Sequence, residues 1–246
     1  MLRYRRIKSF FFTDTFFVTK MAAISRGYTY MQRFVSDIGY VHVTAMKSVI
    51  VFYKALKLFA KLVEVTEAII ADSYMCNKSK EVKLFCHRIG TTLRILEGST
   101  QWSNRAELFV GLFKEAVRKD MLYANYPLVF WDYFSERREI ITNMKANDLF
   151  QLQGQTPHYA TFGKEGDISN ICQFVWYEWV YFRKITGTFP YPSHVLVRCL
   201  GPAQNEGNKM SQWVLKEHGK LCDVKLCANL HLSMLITEIT TTLSSR

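Results

Sequence analysis

The sequence predicts an α/β fold: a mixed five-stranded sheet flanked by helices, followed by a small C-terminal β module. Three observations carry this expectation. Residues 9–46 hold three strand-like stretches separated by short breaks, the pattern of an antiparallel meander. Residues 49–123 then alternate helix-period and strand-like stretches, which requires parallel strands joined by crossover helices. Finally, 49% hydrophobic and 15% aromatic residues, with only 12 Gly and 5 Pro in 246, describe a packed globular chain and not a disordered or repetitive one.

Residues 9–19 carry Phe at both odd and even positions, which suits a central strand buried on both faces. Residues 28–35 and 40–46 read as two further strands joined by the turn-like Ser36-Asp37-Ile38-Gly39. Val49, Phe52, Tyr53, Leu56, Phe59, Ala60 and Val63 fall on the stripe of an amphipathic helix packed on a sheet. Ala68-Ile69-Ile70-Ala71 has the length and composition of a buried parallel strand, and it ends at Asp72. A helix over 80–88, a strand over 92–96 and a helix over 104–123 complete the series. Three meandering strands followed by this alternation give the ribonuclease-H-like topology. Beyond it, a helix is expected over 128–143, loops at Gly154, Pro157, Gly163 and Gly166, an aromatic-rich strand over 173–183, and short strands over 196–219. The domain expectation is a core over 1–146, a linker with aromatic extension over 147–186, a β-module remnant over 187–220 and an unrelated tail over 221–246.

Charge narrows the partners. With 32 Lys+Arg against 21 Asp+Glu, the net charge of +11 favours a polyanion. The basic start at Arg3, Arg5, Arg6 and Lys8 precedes an apolar run, but Thr13-Asp14-Thr15 breaks it and no small-residue cleavage site follows, so secretion is not expected. No uninterrupted apolar stretch is long enough for a membrane helix. The six cysteines contain no C-x-x-C pair and read as reduced, intracellular and mostly structural. Cys222, Cys227 and His231 make half of a zinc pattern without a fourth ligand at suitable spacing, and read as incidental.

Three carboxylates stand out. Asp14 interrupts a run of Phe and Thr on the expected central strand, where an unpaired carboxylate is costly and asks for a metal, a cation or hydrogen bonds. Asp72 lies at the carboxyl end of the next buried strand, where open α/β sheets place ligand-binding groups. Glu107 opens the long helix, on a face shared with Gly111, Lys114 and Arg118, while Phe109, Leu112, Phe113 and Ala116 are expected to pack opposite. Two aspartates at adjacent strand ends can share divalent cations, the arrangement of two-metal phosphoryl transfer. The alternative for the helix is a simple solvated polar face.

The separations are 58 positions from Asp14 to Asp72 and 35 from Asp72 to Glu107, and the second resembles the characteristic interval of the retroviral integrase superfamily. Thr13-Asp14-Thr15-Phe16-Phe17, Ile69-Ile70-Ala71-Asp72 and Asn104-Arg105-Ala106-Glu107-Leu108 are similar to the acid-bearing segments of the integrase core of copia-type LTR retrotransposon polyproteins. Phe130-Trp131-Asp132-Tyr133, Gly154-Gln155-Thr156-Pro157-His158 and Trp176-Tyr177-Glu178-Trp179 resemble the region that follows it, so the likeness runs over residues 10–220. The resemblance implies DNA integration by metal-dependent polynucleotidyl transfer: 3′-end processing, then strand transfer. It implies Asp14, Asp72 and Glu107 as catalytic ligands of two Mg2+ (or Mn2+) ions, and Lys114 and Arg118 as DNA-binding residues. Element ends and target DNA are the implied partners, with a homo-oligomer and no membrane. Departures from the pattern lead to the expectation of a truncated, degenerate copy: no upstream zinc domain is seen, and bulky Ser73-Tyr74-Met75-Cys76 follows the second aspartate. The alternative reading is a non-catalytic nucleic-acid-binding remnant.

Overall fold

The computed structural model describes residues 6–18, 26–73, 78–96, 105–183, 190, 194–203, 211–217 and 219–225, without the side chains of 105–107, 170, 183 and 222–225. It divides into two compact units, Met1–Gly166 and Asp167–Arg246.

The first unit is built on a five-stranded sheet. Its strands are β1 (Arg6–Phe17), β2 (Tyr30–Ser36), β3 (Val41–Met46), β4 (Val65–Ala71) and β5 (Thr92–Ile95), in the spatial order β3-β2-β1-β4-β5. β1 to β3 form the antiparallel meander, and β4 and β5 extend it in parallel, as the sequence predicts. The β2–β3 turn depends on Gly39 at φ +83°, where an added Cβ would come within 2.9 Å of Leu149 Cδ1.

One face of the sheet is covered by α1 (Phe52–Leu62) and α2 (Lys80–Ile89). α1 follows a single 3-10 turn capped by the Ser48 hydroxyl, and buries the expected stripe of Phe52, Leu56, Phe59 and Ala60. α2 is capped by Ser79 at its start and ends on Gly90 in the left-handed conformation. Phe34 of β2 stacks on Phe59 with ring centroids 4.3 Å apart, and Phe11 of β1 meets Phe59 edge-on at 5.0 Å. The expected burial of β1 on both faces holds only in part: Phe11 and Phe16, on opposite faces, are buried, Phe10 and Phe12 are half-buried, and Phe17, on the same face as Phe11, is 76% exposed.

α3 (Arg105–Tyr123) packs on β1 and β2. Its buried stripe is Val110, Phe113, Val117 and Met121, not the Phe109, Leu112, Phe113 and Ala116 face expected from the sequence; Leu112 is 60% exposed. The 3-4-4 spacing of the four buried residues fixes the packing rotation, and it leaves Lys114 and Arg118 beside the buried stripe instead of opposite it.

α4 (Trp131–Met144) runs along the outer strand β3. Asn143 accepts a hydrogen bond from Val41 N at 2.8 Å and donates one to Val41 O at 2.7 Å. Glu139 Oε2 accepts from Val43 N at 3.1 Å, and its Oε1 lies 2.8 Å from His42 Nδ1. Peptide groups of an outer strand that a helix has buried must find partners, and these two side chains supply them. Asn143→Ala is expected to lower stability by about 1–3 kcal/mol by orphaning both Val41 groups. An unchanged urea midpoint would contradict this. α5 (Pro157–Phe162) lies where the sequence predicts loops: Thr156 caps Tyr159 N, Pro157 takes the first position and Gly163 closes the helix at φ +67°.

The second unit contains the four-residue helix α6 (Ser169–Cys172) and an antiparallel sheet in the order β6-β7-β8-β9. Its strands are β6 (Trp179–Arg183), β7 (His194–Pro202), β8 (Ser211–Leu215) and β9 (Leu221–Lys225), around Val180, Phe182, Val197, Cys199 and Val214. The strand predicted from residue 173 begins only at Trp179, since residues 173–178 form turns. β9 uses the first residues of what the sequence suggests is an unrelated tail. The remainder of that tail, with Cys227 and His231, and the Cys222 side chain lie outside the described residues.

Candidate metal centre and nucleic-acid interface

Two of the three acids come together through strand register. β1 and β4 run parallel, with Phe12 opposite Ile70 and Thr13 opposite Ala71. One residue further along each chain are Asp14, inside β1 three residues before its end at Phe17, and Asp72, just past the end of β4; neighbouring strands of a sheet lie about 4.8 Å apart. Their placement follows from the pairing of two apolar runs, Phe10–Thr13 with Ala68–Ala71. Asp14 is half-buried, not deeply enclosed as its neighbours suggest. Its Oδ1 accepts a hydrogen bond from Thr15 N at 2.7 Å, which offsets part of the desolvation of the charge.

Glu107 lies in the first turn of α3, and its side chain is outside the described residues. Its place is fixed at the backbone. Phe109, two residues on, receives the guanidinium of Arg33 on its carbonyl, and Arg33 is the cross-strand partner of Asp14. The opening turns of α3 therefore lie over the part of the sheet that carries Asp14. Among the described residues no three His, Cys, Asp or Glu side chains gather as a metal site.

Lys114 and Arg118 meet at one groove of about 370 Å³, lined also by Phe16, Phe113, Val117 and Trp131. Lys114 is exposed and holds its ammonium 4.6 Å from the centre of the Phe16 ring, two residues from Asp14. The Arg118 side chain is 68% exposed and pairs with Glu115 at 2.9 Å. The groove thus sets two exposed basic side chains beside an apolar floor.

Arg33 is the residue of this site that sequence reasoning missed. It is only 2% exposed, its guanidinium lies 4.6 Å from the centre of the Phe113 ring, and burial pushes its pKa down to about 9 against the pull of Glu139 and Asp14. A signal was available in the sequence, since a lone Arg within an otherwise uncharged strand, Tyr30–Ser36, invites a search for its counter-charge.

The sequence matches no protein-family model and no curated protein. Solved structures do resemble it. The catalytic core domain of HTLV-2 integrase in complex with magnesium, trimeric form, superposes with a TM-score of 0.50 at 16% identity, covering 65% of this chain and 99% of that one. The dimeric form gives 0.46 at 18% identity, covering 66% and 100%. The simian T-cell lymphotropic virus intasome in complex with the PP2A regulatory subunit B56 gamma gives 0.47 at 13% identity, covering 90% and 81%. The mixed sheet with its flanking helices thus has the ribonuclease-H-like fold of a retroviral integrase catalytic core.

Proposed function

We propose that this chain is an integrase-type core of copia-like kind, acting in DNA integration by metal-dependent polynucleotidyl transfer. The observation that supports it best is the β1–β4 register, in which Asp14 of β1 and Asp72, just past the end of β4, each follow the paired Thr13 and Ala71, in a chain with the fold of the HTLV-2 integrase core in complex with magnesium. In this reading Asp14, Asp72 and Glu107 provide carboxylate oxygens for two divalent cations. Bound there, the ions would activate the attacking oxygen and stabilise the leaving one. The chain's own contribution is positioning: Lys114 and Arg118 hold the phosphates of DNA beside the acids, and the groove floor at Phe16 keeps that surface partly dry. The substrate is duplex DNA ends and a target DNA. Self-association is part of the proposal, since the HTLV-2 core adopts dimeric and trimeric forms.

Strand transfer on short DNA duplexes with Mn2+ tests the proposal. Asp72→Asn is expected to lower the rate by about a hundredfold or more while leaving salt-sensitive DNA binding intact. Equal rates in the two proteins would refute it. A second reading, nucleic-acid binding without catalysis, is favoured by the buried cation beside Asp14. It predicts DNA affinity that falls steeply with salt and no metal-dependent cleavage by either protein.

A further inference from the structure

We infer that the Arg33 guanidinium is a built-in counter-charge to Asp14 that weakens the hold of this site on divalent cations. The inference rests on the reading of Asp14 and Asp72 as metal ligands and adds a restraint on the same site.

The placement is specific. Arg33 lies within β2, directly opposite Asp14 of β1, and paired residues of adjacent strands send their side chains to the same face. On that face the guanidinium is clamped by α3: one terminal nitrogen donates to the Phe109 carbonyl, and the cation rests against the Phe113 ring. Its Nε is buried without a hydrogen-bond partner, so hydrogen bonding does not fully compensate the enclosed charge. Compensation must come from carboxylates, and the two that act on it are Glu139 and Asp14. Both Glu139 oxygens are already held, one by Val43 N and the other by His42.

Asp14 is then asked to answer two positive charges, the fixed guanidinium and any incoming cation. Like charges repel strongly where water is scarce, and a clamped side chain cannot withdraw as a surface lysine would. The same clamp ties Arg33 to α3, whose first turn carries Glu107. A neighbouring unit charge alters the charge equilibrium of a carboxylate by roughly one to three decades, and the effect on metal affinity is expected at the lower end, about tenfold.

Calorimetric titration of Mn2+ into the full chain tests this with no reliance on activity. Arg33→Met and Arg33→Gln each fill the same space without the charge, and their folded state is checked by circular dichroism. Both are expected to bind Mn2+ about tenfold more tightly than the wild type, with the gain lost in the Asp14→Asn/Arg33→Met double variant. If the folded Arg33 variants bind with wild-type affinity while Asp14→Asn weakens binding, Arg33 is only a structural partner of Glu139 and the inference falls alone. If neither wild type nor variants bind Mn2+, the metal reading of the site falls with it.

Discussion

Replacing Arg26 by methionine is expected to destabilise the protein by about 3 kcal/mol, near the low end for breaking a buried ion pair. Arg26 Nε bonds Asp132 Oδ2 at 2.6 Å, and Nη2 bonds Glu136 Oε1 at 2.9 Å. Its guanidinium also covers the Tyr133 ring at 3.7 Å from the centroid. Asp132 is fully buried, and its second oxygen has no hydrogen-bond partner, so this one cation carries much of the compensation for two acids on α4. The side chain of Arg26 keeps a fifth of its surface in solvent, which is why the low end of the range applies.

The loss should depend on pH with a definite sign. Burial raises the Asp132 carboxyl and pushes Glu136 up to about 7, while Arg26 draws both back. A carboxyl raised in the folded state contributes stability that is complete below its unfolded value and is lost as pH rises through its folded value. For Glu136 that window runs from about 4.5 to about 7. Removing Arg26 raises both groups further, so the stability gap between variant and wild type should be widest at pH 8 and narrow toward pH 5. Urea unfolding across that range would count against the account if the gap stayed constant or widened on acidification.

Phe34→Ala should cost about 3–5 kcal/mol, the largest effect of any single truncation in the sheet core. Phe34 has no solvent exposure, and its ring lies between those of Phe52 and Phe59 at centroid distances of 6.4 and 4.3 Å. Alanine leaves a void bounded by three elements that cannot collapse together, because β2 is pinned by pairing on both sides. Phe150→Ala is the matched control: that ring is 89% exposed, and its loss should fall within about 0.5 kcal/mol of zero. Similar shifts in the two variants would show that ring stacking at Phe34 contributes little.

Most of the first sheet was legible because its signals are local. The Ser36–Gly39 turn sets the meander, and the apolar run ending at Ala71 has the length and composition of a buried parallel strand, so β1 and β4 could be set side by side from the sequence. What escaped depends on three-dimensional context. Phe17 follows the same pattern as Phe11, yet only one has a helix above it. Leu112 is as apolar as Val110, and which of them packs is decided by how α3 rolls on β1 and β2. Arg33 became part of the site only when strand register put it across from Asp14. α5 differs for another reason: Pro157 and Gly163, which mark loops in the sequence, open and close a helix that Thr156 caps.

The way α4 grips β3 has a consequence for the protein in a crowded cell. An uncovered border strand offers open peptide groups on which a foreign or partly unfolded chain can template itself, the first step of amyloid growth. Here Asn143 and Glu139 already occupy the amide and carbonyl of Val41 and the amide of Val43. Growth of cross-β stacks from that side would first have to strip a helix away, so the side-chain clasp acts as a guard against aggregation as well as a fastening.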